Sequence, residues 1–348
     1  MQIQRSVLAE AVKKCLPGVE TGTALIEGTD TLVFTKGALH SYNDSIHVSV
    51  VLPDSELEGV VKAKEFSKLV TKLTGEVVTI ELVDSKWTLI CGATEVELPL
   101  YSDNITKHLE TLNLADLKWS PLPQDFQEGL KLTKIGGNTN PVRGAFIEGK
   151  KLYSTDTIRI NEYTLGVEMP PFWVDDPAVG ELLKIGTLVE YSVGVAWAHF
   201  RTKDNTIFSA KLKEYALFPI LGLQGHIEAA LAAPVLAGNK LPLALGEAVE
   251  RVAVFGADLQ GVVSVGMSIR QDHIKVFSGR ATGKAKESVP LTTPFTNDPK
   301  VECSVDFTFI VEAAAKVAEF EVKDVGGQKL LRFFTEKYNQ FAVTVVSE

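Results

Sequence analysis

The stretch Lys62–Leu73 reads KAKEFSKLVTKL. Its apolar residues recur at spacings of three and four, which predicts a helix with one buried face. Lys64, Lys68 and Lys72 recur every fourth residue on the opposite face, so they form a row of positive charge with about 6 Å between neighbours. The next segment, Val77–Leu100, alternates apolar and polar residues with a period of two and predicts a pair of strands.

This helix and strand pair belong to a sequence unit that occurs three times in the chain. The copies open on amphipathic stretches at Arg5–Cys15, Pro123–Lys134 and Leu241–Val254. A strand pair, a second amphipathic stretch and a second strand pair follow in each copy. A repeat of this length has the size of a small domain, so the sequence predicts an α+β fold of three tandem domains, each with two helices packed on antiparallel sheets. The second amphipathic stretches are Lys62–Leu73, Asp176–Ile185 and Phe307–Phe320.

The repeat also sets the expected domain boundaries. We place the domains at residues 1–115, 116–230 and 231–348. Two segments near these boundaries are predicted to be linkers, because their composition favours turns over regular elements. They are Asp103–Pro123 and the Gly-, Ala- and Pro-rich Leu221–Lys240.

The composition of the chain excludes several classes of protein. The chain has 348 residues, 45% of them hydrophobic, and no stretch approaches the roughly 18–20 apolar residues of a membrane span. Residues Met1–Arg5 run directly into an amphipathic pattern and lack the apolar core of a signal peptide. Cys15, Cys91 and Cys303 lack the paired spacing of a disulfide framework or a zinc site. We therefore expect a cytoplasmic protein without a metal or other cofactor.

Lysines recur on the corresponding amphipathic stretches of the three copies. The formal net charge of −9 argues against a general binder of polyanions, and a lone lysine row is most often a solvated helix face. The recurrence instead favours a protein with a basic inner surface and an acidic outside, although Glu247 and Glu250 weaken this pattern in the third copy. Such a surface contacts phosphates without reading sequence. The lysines predicted to line it are Lys13, Lys14, Lys64, Lys68, Lys72, Lys131, Lys134, Lys184 and Lys316.

The sequence contains no pattern that predicts an active site. Gly283-Lys284 lacks the upstream glycine and the following Ser or Thr of a phosphate-binding loop. The six histidines show no i, i+4 metal pairing, and each is expected at the surface or in a turn. Asp156 and Arg159 could act as a general acid and its partner, but a structural ion pair in a turn is the more common arrangement. An enzyme built on Asp156, Arg159 and His199 is the least favoured interpretation.

Two runs carry a resemblance to a known family. Arg143–Gly149 reads RGAFIEG, and Leu152–Ile160 reads LYSTDTIRI. They resemble the second domain of bacterial sliding clamps, the β subunit of the replicative DNA polymerase. Val60–Phe66 resembles the second helix of the first clamp domain, and Leu241–Phe255 resembles the start of the third. The resemblance extends over the whole chain in pattern and is that of a divergent clamp, such as a phage encodes.

This resemblance implies a processivity factor that is not an enzyme. In the family, two three-domain protomers join head to tail and close a six-domain ring around duplex DNA, with helices lining the hole. The chain would then be half of such a homodimeric ring, and the lysines named above would face the DNA. The implied partners are a DNA polymerase and a clamp loader, which bind through short peptide motifs.

The resemblance also implies a partner-peptide pocket between the second and third domains. This chain departs from the family at Thr157 and Ile158, which replace a Gly-His pair, and at its C-terminal residues. These departures predict that the pocket prefers a different peptide. The matching positions are Thr155, Thr157, Ile158, Arg159, Ile160, Val343 and Val345.

The dimer interface is the second site that the resemblance implies, with an edge strand of the first domain against an edge strand of the third. Glu95 and Glu97 share one face of the former, and Lys284 and Lys286 share one face of the latter, so cross-strand ion pairs are expected. Apolar residues are expected to pack beneath them: Val96, Leu98, Val254 and Phe255.

One alternative belongs to a different class. A ring-forming structural or virion protein could use clamp-like or β-rich tandem domains without tethering a polymerase to DNA. Such a protein would not need lysines concentrated on its inner helices.

Overall fold

The computed structural model describes residues 1–22, 26–102, 105–135, 142–256, 263–280 and 283–344. Within these ranges the chain forms α-helices, three short 3-10 helices and strands that pair in antiparallel fashion, joined by turns and loops. The helices are α1 (Arg5–Cys15), α2 (Ala63–Lys72), α3 (Thr106–Thr111), α4 (Phe126–Thr133), α5 (Asp176–Leu182), α6 (Ile220–Ala232), α7 (Leu245–Ala253) and α8 (Phe307–Ala314).

The strands fall into four sheets, which confirms the predicted α+β class. In chain order they are β1 (Gln2–Gln4), β2 (Thr31–Thr35), β3 (Ala38–Tyr42), β4 (Ile46–Val51), β5 (Gly59–Lys62), β6 (Val77–Val83), β7 (Lys86–Cys91), β8 (Thr94–Pro99), β9 (Ser120–Pro121), β10 (Ala145–Thr155), β11 (Arg159–Val174), β12 (Leu188–Val193), β13 (Trp197–Thr202), β14 (Ile207–Lys211), β15 (Val235–Lys240), β16 (Ser264–Ile269), β17 (His273–Arg280), β18 (Gly283–Pro290), β19 (Val301–Asp306), β20 (Glu319–Val325), β21 (Gln328–Phe334) and β22 (Tyr338–Val343).

The chain divides into two compact units. The first comprises Met1–Gln127 and Phe172–Tyr215, and the second comprises Glu128–Pro171 and Ala216–Glu348. The second sequence repeat therefore contributes to both units, and the boundaries drawn from the repeats remain a prediction.

The first unit contains an eight-stranded sheet and a four-stranded sheet. Their strand orders are β5-β2-β3-β4-β14-β13-β12-β9 and β1-β6-β7-β8. Phe66 of α2 packs edge-on against Phe34 of the larger sheet, with 5.5 Å between ring centroids, and lies 6.3 Å from Trp87 of the smaller one. All three rings are buried. The apolar face of α2 therefore covers the place where the two sheets meet.

The second unit contains a six-stranded sheet and a four-stranded sheet. Their orders are β10-β11-β22-β21-β20-β15 and β18-β17-β16-β19. Helices α7 and α8 pack against each other, and their buried residues, such as Val249 and Ile310, join one core with Val276 and Phe320 from the two sheets.

Two ladders join strands that come from different sequence repeats. Within the first unit, β4 pairs with β14 from Ile46↔Ala210 to Ser49↔Ile207. Within the second, β11 pairs with β22 from Arg159↔Ala342 to Tyr163↔Tyr338. These ladders join repeats that are neighbours in sequence through their edge strands. Each four-stranded sheet also has two outer strands, β1 and β8 in the first unit and β18 and β19 in the second.

The predicted helices agree closely with the structure in the first repeat and less well later. The first stretch matches α1 at Arg5–Cys15. The prediction for Phe307–Phe320 is wrong after α8 ends at Ala314, because Phe320 lies in β20 and is buried in the core.

Both predicted linkers contain regular structure, so those predictions are wrong as well. The first contains α3 and β9, although Asp103 and Asn104 lie outside the described residues. The second forms α6 and β15. Helix α6 buries Leu223, Ile227 and Ala230 on one narrow face, and the ammonium group of Lys323 donates to its C-terminal carbonyls, those of Leu231 and Ala233. Buried apolar surface and a capped C-terminus stabilise a helix that its two glycines would otherwise disfavour.

Candidate functional site

Helix α2 presents a row of exposed lysines. Lys64, Lys68 and Lys72 are exposed, whereas Phe66 and Val70 on the opposite face are buried. Among the described residues, none of the three ammonium groups has an ion-pair or hydrogen-bond partner. The core fixes the helix rotation, because turning it would expose Phe66. The row is therefore held towards solvent with its full positive charge available.

The two lysines at the end of α1 differ in their surroundings. Lys13 is exposed, whereas the Lys14 ammonium group donates to the carboxylate of Asp204 in the β13–β14 turn of the same unit. Partial burial opposes the charged form of Asp204, but hydrogen bonds from Lys14 and Thr202 outweigh it and lower the pKa of this carboxyl to about 2. Lys14 is thus already paired at neutral pH. Lys184, just past α5, is exposed and pairs with Glu181 at 2.8 Å.

The remaining three lysines of this set lie in the second unit. Lys131 on α4 is exposed, and Lys134 follows the end of that helix half-buried. Lys316 donates to the main-chain oxygens of Leu132 and Lys134 at 3.0 and 3.2 Å. Burial lowers the pKa of Lys316. Its ammonium group therefore caps the C-terminus of α4, where the helix dipole favours positive charge.

The turn between β10 and β11 is held by its own side chains. Thr157 has a φ of 76°, which a β-branched residue rarely adopts. The Asp156 carboxylate accepts from the backbone N–H groups of Ile158 and Arg159, and the Thr155 hydroxyl donates to the carbonyl of Arg159. These bonds fix the turn so that Ile158 is 53% exposed at its tip.

The C-terminal strand lies directly beside this turn. The Val343 N–H donates to the carbonyl of Ile158 at 3.2 Å, and the Val343 side chain is 37% exposed. Ile160 is half-buried, and Thr155 is buried. The structure thus brings Ile158 and Val343 together as neighbouring exposed apolar side chains, while Val345 lies outside the described residues.

Arg159 has a different position from the other residues of the turn. Its side chain is buried, its Nε donates to Asp156 at 2.8 Å, and its Nη1 donates to Glu312 of α8 at 2.8 Å. Its guanidinium group also lies 4.5 Å from the centroid of the Phe309 ring. Arg159 therefore anchors the turn to α8.

The outer strands β8 and β18 carry opposite charges. Glu95 and Glu97 are exposed on the face of β8 that points away from Trp87 and Leu89, and Glu97 pairs with Lys86 at 3.2 Å. Val96 and Leu98 point the other way and are half-buried. Lys284 and Lys286 are exposed on one face of β18 and have no ion-pair partner among the described residues. The glutamates of β8 thus share one face and the lysines of β18 share another, while Glu287 on the opposite face of β18 pairs with Arg251 of α7 at 2.8 Å.

Two further residues predicted for the interface lie next to β18. Val254 follows α7 and is exposed, whereas Phe255 is half-buried. A side chain at Gly283, the first residue of β18, would collide with the Phe255 ring. Glycine there lets the edge strand approach the end of α7.

Comparisons with solved structures identify the architecture. A DNA polymerase sliding clamp from Bacillus subtilis is 17% identical, with a TM-score of 0.78 over 100% of this chain and 99% of that one. The β subunit of the Streptococcus pyogenes DNA polymerase is 15% identical, with a TM-score of 0.83 over 99% of both chains. A sliding clamp from Bartonella birtlesii bound to griselimycin, the β subunit of DNA polymerase III, is 16% identical, with a TM-score of 0.81 over 100% of this chain and 99% of that one.

The chain has the sliding-clamp fold. No protein-family model matches the sequence, and no curated protein matches it. Because the identities are low and the coverage is complete, the chain is divergent in sequence while it retains all three domains of the fold. Among the described residues, no helix is long and apolar enough to cross a membrane.

The first unit contains a row of three histidines, whereas the sequence predicted each histidine at the surface or in a turn. His47 and His199 are buried, and the Nδ1 atom of each lies within hydrogen-bond distance of the Ser209 hydroxyl, at 3.2 and 2.8 Å. His40 stacks on His47, with 5.7 Å between ring centroids. Burial lowers the pKa of His40 and of His199 to about 4, and that of His47 well below its usual value. His47 of β4 and Ser209 of β14 face each other in the ladder that joins two repeats, while His40 and His199 flank this contact from β3 and β13.

Proposed function

We propose that the protein is a DNA sliding clamp. Two copies would close into a ring that encircles duplex DNA without sequence specificity and tethers a DNA polymerase as a processivity factor. A clamp loader and the polymerase would bind through short peptide motifs. In this role the protein holds its partner by topology and catalyses no reaction. The full-length likeness to clamps of known structure supports the proposal.

The observation that carries the proposal is the free lysine row of α2. Its three ammonium groups are exposed and unpaired with any described residue, although the whole chain has a formal net charge of −9. Lysines that contact phosphates release counterions and bind DNA regardless of its sequence. A ring of purely structural function would have no use for this row. We therefore prefer the clamp to the structural or virion alternative.

Ring closure is supported by the two outer strands. The eight-stranded sheet of the first unit joins four strands from each of two repeats through β4 and β14. A second copy could repeat that arrangement by pairing β8 of one protomer with β18 of the other. This pairing would set Glu95 and Glu97 against Lys284 and Lys286, whereas two β8 strands or two β18 strands would oppose like charges. Charge thus favours a head-to-tail dimer over a symmetric contact of identical strands.

The partner pocket is supported by Ile158 and Val343. These exposed apolar side chains adjoin each other at a turn that hydrogen bonds hold rigid. A short peptide could bury its own apolar residues against them at little entropic cost to the protein. Arg159 would support this site from below through Asp156 and Glu312.

Retention on DNA with blocked ends tests the proposal without a loader. The protein is incubated with a linear duplex that has biotin at both ends, so that rings thread on, and streptavidin then blocks the ends. We expect a fraction of the protein to stay with the DNA through gel filtration in high salt and to leave after a restriction enzyme cuts the duplex. Equal retention before and after cutting, or none at all, would refute encirclement.

A charge variant locates the path of the DNA. Replacing Lys64, Lys68, Lys72 and Lys131 by Glu should abolish retention. The matched control replaces four exposed lysines outside the amphipathic helices of the repeats and should leave retention unchanged. The control positions are Lys107, Lys118, Lys150 and Lys240.

A further inference from the structure

The four-stranded sheet of the second unit has an open face on the side opposite α7. Its inward residues, such as Val265 and Val276, pack into the core. Its outward residues line a shallow concavity of about 1210 Å³. The floor of this concavity consists of small residues from β16 and β19: Ser264, Gly266, Ser268 and Ser304.

One aromatic ring lies on this floor. Phe277 of β17 is paired with Gly266 of β16 and is 39% exposed. A side chain at position 266 would collide with the ring, so the glycine lets Phe277 lie down across the neighbouring strand. One side of the ring rests on the backbone, and exposed ring surface remains above it.

Three lysines surround the ring on the same face. Lys286 pairs with Phe277 across β18, Lys284 lies two residues before it, and Lys275 lies two residues before Phe277 on β17. None has an ion-pair or hydrogen-bond partner among the described residues.

Two of the three carboxylates that line the concavity already have a cationic or imidazole partner, and the third, Asp298, accepts from the backbone N–H of Lys300. Glu302 accepts from Arg270 at 2.7 Å, and the Asp272 carboxylate lies 2.7 Å from His273 Nδ1. The face therefore has an excess of positive charge beside exposed aromatic surface.

We propose that this face binds single-stranded nucleic acid. A base would stack on Phe277, and a neighbouring phosphate would contact Lys275, which lies on β17, one strand in from the edge that the proposed dimer uses. Aromatic rings set among lysines bind single strands in this way with little preference for sequence, because every base has a flat apolar face. The serines and glycine keep the floor low enough for a base to reach the ring.

An acidic peptide fits this face less well. The backbone N–H groups of β16 and β17 are used by ladders on both sides, so an extended peptide lying on the sheet would find no main-chain partners there. A nucleic-acid strand needs only stacking and phosphate contacts, and this face supplies both.

The four-stranded sheet of the first unit has a corresponding outward face, and its residues differ. The combination of an exposed ring and lysines therefore distinguishes the second unit from the first. On the sheet β1-β6-β7-β8, Ile90 is likewise one strand in from the edge and 37% exposed. Its cross-strand neighbour on β8 is Glu95, and Glu97 follows on the same face. Among the residues that the structure describes, that face is acidic and carries no exposed aromatic ring, so it supplies a matched control.

Binding of a fluorescent 12-nucleotide oligothymidylate to the whole protein, measured by anisotropy at several salt concentrations, tests the proposal. Phe277→Ala should weaken binding about tenfold, within the range observed for loss of one stacked base, and Phe277→Tyr should restore it. Lys275→Gln should weaken binding and make the salt dependence shallower by roughly 0.7 in the log–log slope, the value for one lost phosphate contact on a single strand. Ile90→Ala should have no effect.

The outcomes separate this site from the proposed clamp activity. A linear 12-mer slides out of a ring, so the proposed site should keep its affinity in the variant that carries Glu at positions 64, 68, 72 and 131. Phe277→Ala should still be retained on end-blocked duplex DNA. Unchanged oligothymidylate affinity in both Phe277→Ala and Lys275→Gln would overturn the proposal. So would displacement of the oligonucleotide by polyglutamate together with no effect of Phe277→Ala, because that pair of results would assign the face to an acidic peptide.

Discussion

The guanidinium group of Arg159 donates to the carboxylate of Glu312 at 2.8 Å and so joins the β10–β11 turn to α8. Arg159 also holds Asp156, and Arg143 lies 3.9 Å from the same carboxylate. These residues come from the second and third sequence repeats and lie in one unit. The turn that presents Ile158 is therefore fixed by a helix from the next repeat, which no short sequence motif reveals.

Removing the guanidinium group should destabilise the second unit strongly. Arg159→Ala would leave the buried Asp156 carboxylate without its closest cation, and breaking a buried pair in this way costs roughly 3–5 kcal/mol. Glu312→Gln should cost less, because Glu312 is more exposed and Gln can still accept a hydrogen bond. Amide hydrogen exchange measures the loss of stability in the second unit. Tryptophan fluorescence would not report on it, because all four tryptophans, at positions 87, 119, 173 and 197, lie in the first unit.

The loss of stability in Arg159→Ala is expected to be confined to the second unit. Protection should fall in β11, β22 and α8, whereas the tryptophan fluorescence of the first unit should change little. Full protection of these elements in Arg159→Ala would show that the ion pairs contribute nothing to the fold.

The histidine row predicts that stability falls in mild acid. The pKa values of His40 and His199 are about 4 in the folded protein because of burial, against about 6.5 in the unfolded chain. The unfolded state therefore binds protons first as the pH falls. The stabilisation from each neutral ring is complete above pH 6.5 and declines between that pH and about 4, by up to roughly 3 kcal/mol per histidine.

Carboxylates also titrate near the lower end of this window, so a variant must isolate the histidines. Asn places a polar atom near the position of Nδ1 and does not titrate, so His199→Asn can keep the bond to Ser209. Urea unfolding followed by tryptophan fluorescence should show a smaller loss between pH 7 and 5 in His199→Asn than in the parent. Parallel pH profiles would show that His199 is not coupled to the stability of the first unit.

The exposed pair at the β10–β11 turn predicts where partners bind. Ile158→Asp should abolish binding of apolar peptides, because it places a charge where an apolar side chain would be buried. Peptides selected from a random library on the parent protein supply the probe. Titration calorimetry should show affinity lost in Ile158→Asp and kept in Val167→Asp, a control at an exposed apolar residue within β11. Equal loss in both variants would remove the assignment of the pocket to this turn.

The sequence predicts some parts of this structure well, for identifiable physical reasons. The sequence predicts helix α2 because apolar residues occupy one face and charged residues the other, so the helical period is clear. Helix α6 is missed because Ile220–Ala232 is apolar or small on nearly every side and contains two glycines. Its stability depends on contacts with distant residues such as Lys323, which donates to its C-terminal carbonyls.

The residues of the candidate site likewise include some whose position the sequence predicts and some whose position it does not. Exposure of Lys64, Lys68 and Lys72 follows from the helix period alone. Lys316 looks equivalent in sequence, but its ammonium group lies against the end of α4, which is about 180 residues away in the chain. The histidines likewise depend on the β4–β14 ladder, because neither strand alone predicts that His47 and His199 share the Ser209 hydroxyl. Residues whose role is set by one element are predictable, and residues whose role is set by two distant elements are not.

Opposite charges on β8 and β18 give the sharpest prediction for assembly. Replacing Glu95 and Glu97 by Lys should split the proposed dimer, because the cross-strand contacts with Lys284 and Lys286 change from attractive to repulsive. Each cross-strand pair is worth roughly 0.2–1 kcal/mol, so two reversals should raise the dimer dissociation constant about tenfold or more. Adding Lys284→Glu and Lys286→Glu should restore the dimer, since the charges are then exchanged but opposite again. Sedimentation velocity over a concentration series measures the dissociation constant of each variant. Glu81→Lys, on β6 and two strands in from β8, changes the net charge in the same direction by half as much, away from the contact, and should leave the dimer intact. A dimer that survives reversal of Glu95 and Glu97 would refute the β8–β18 pairing, and a dimer that is lost without rescue would show that these strands meet other groups.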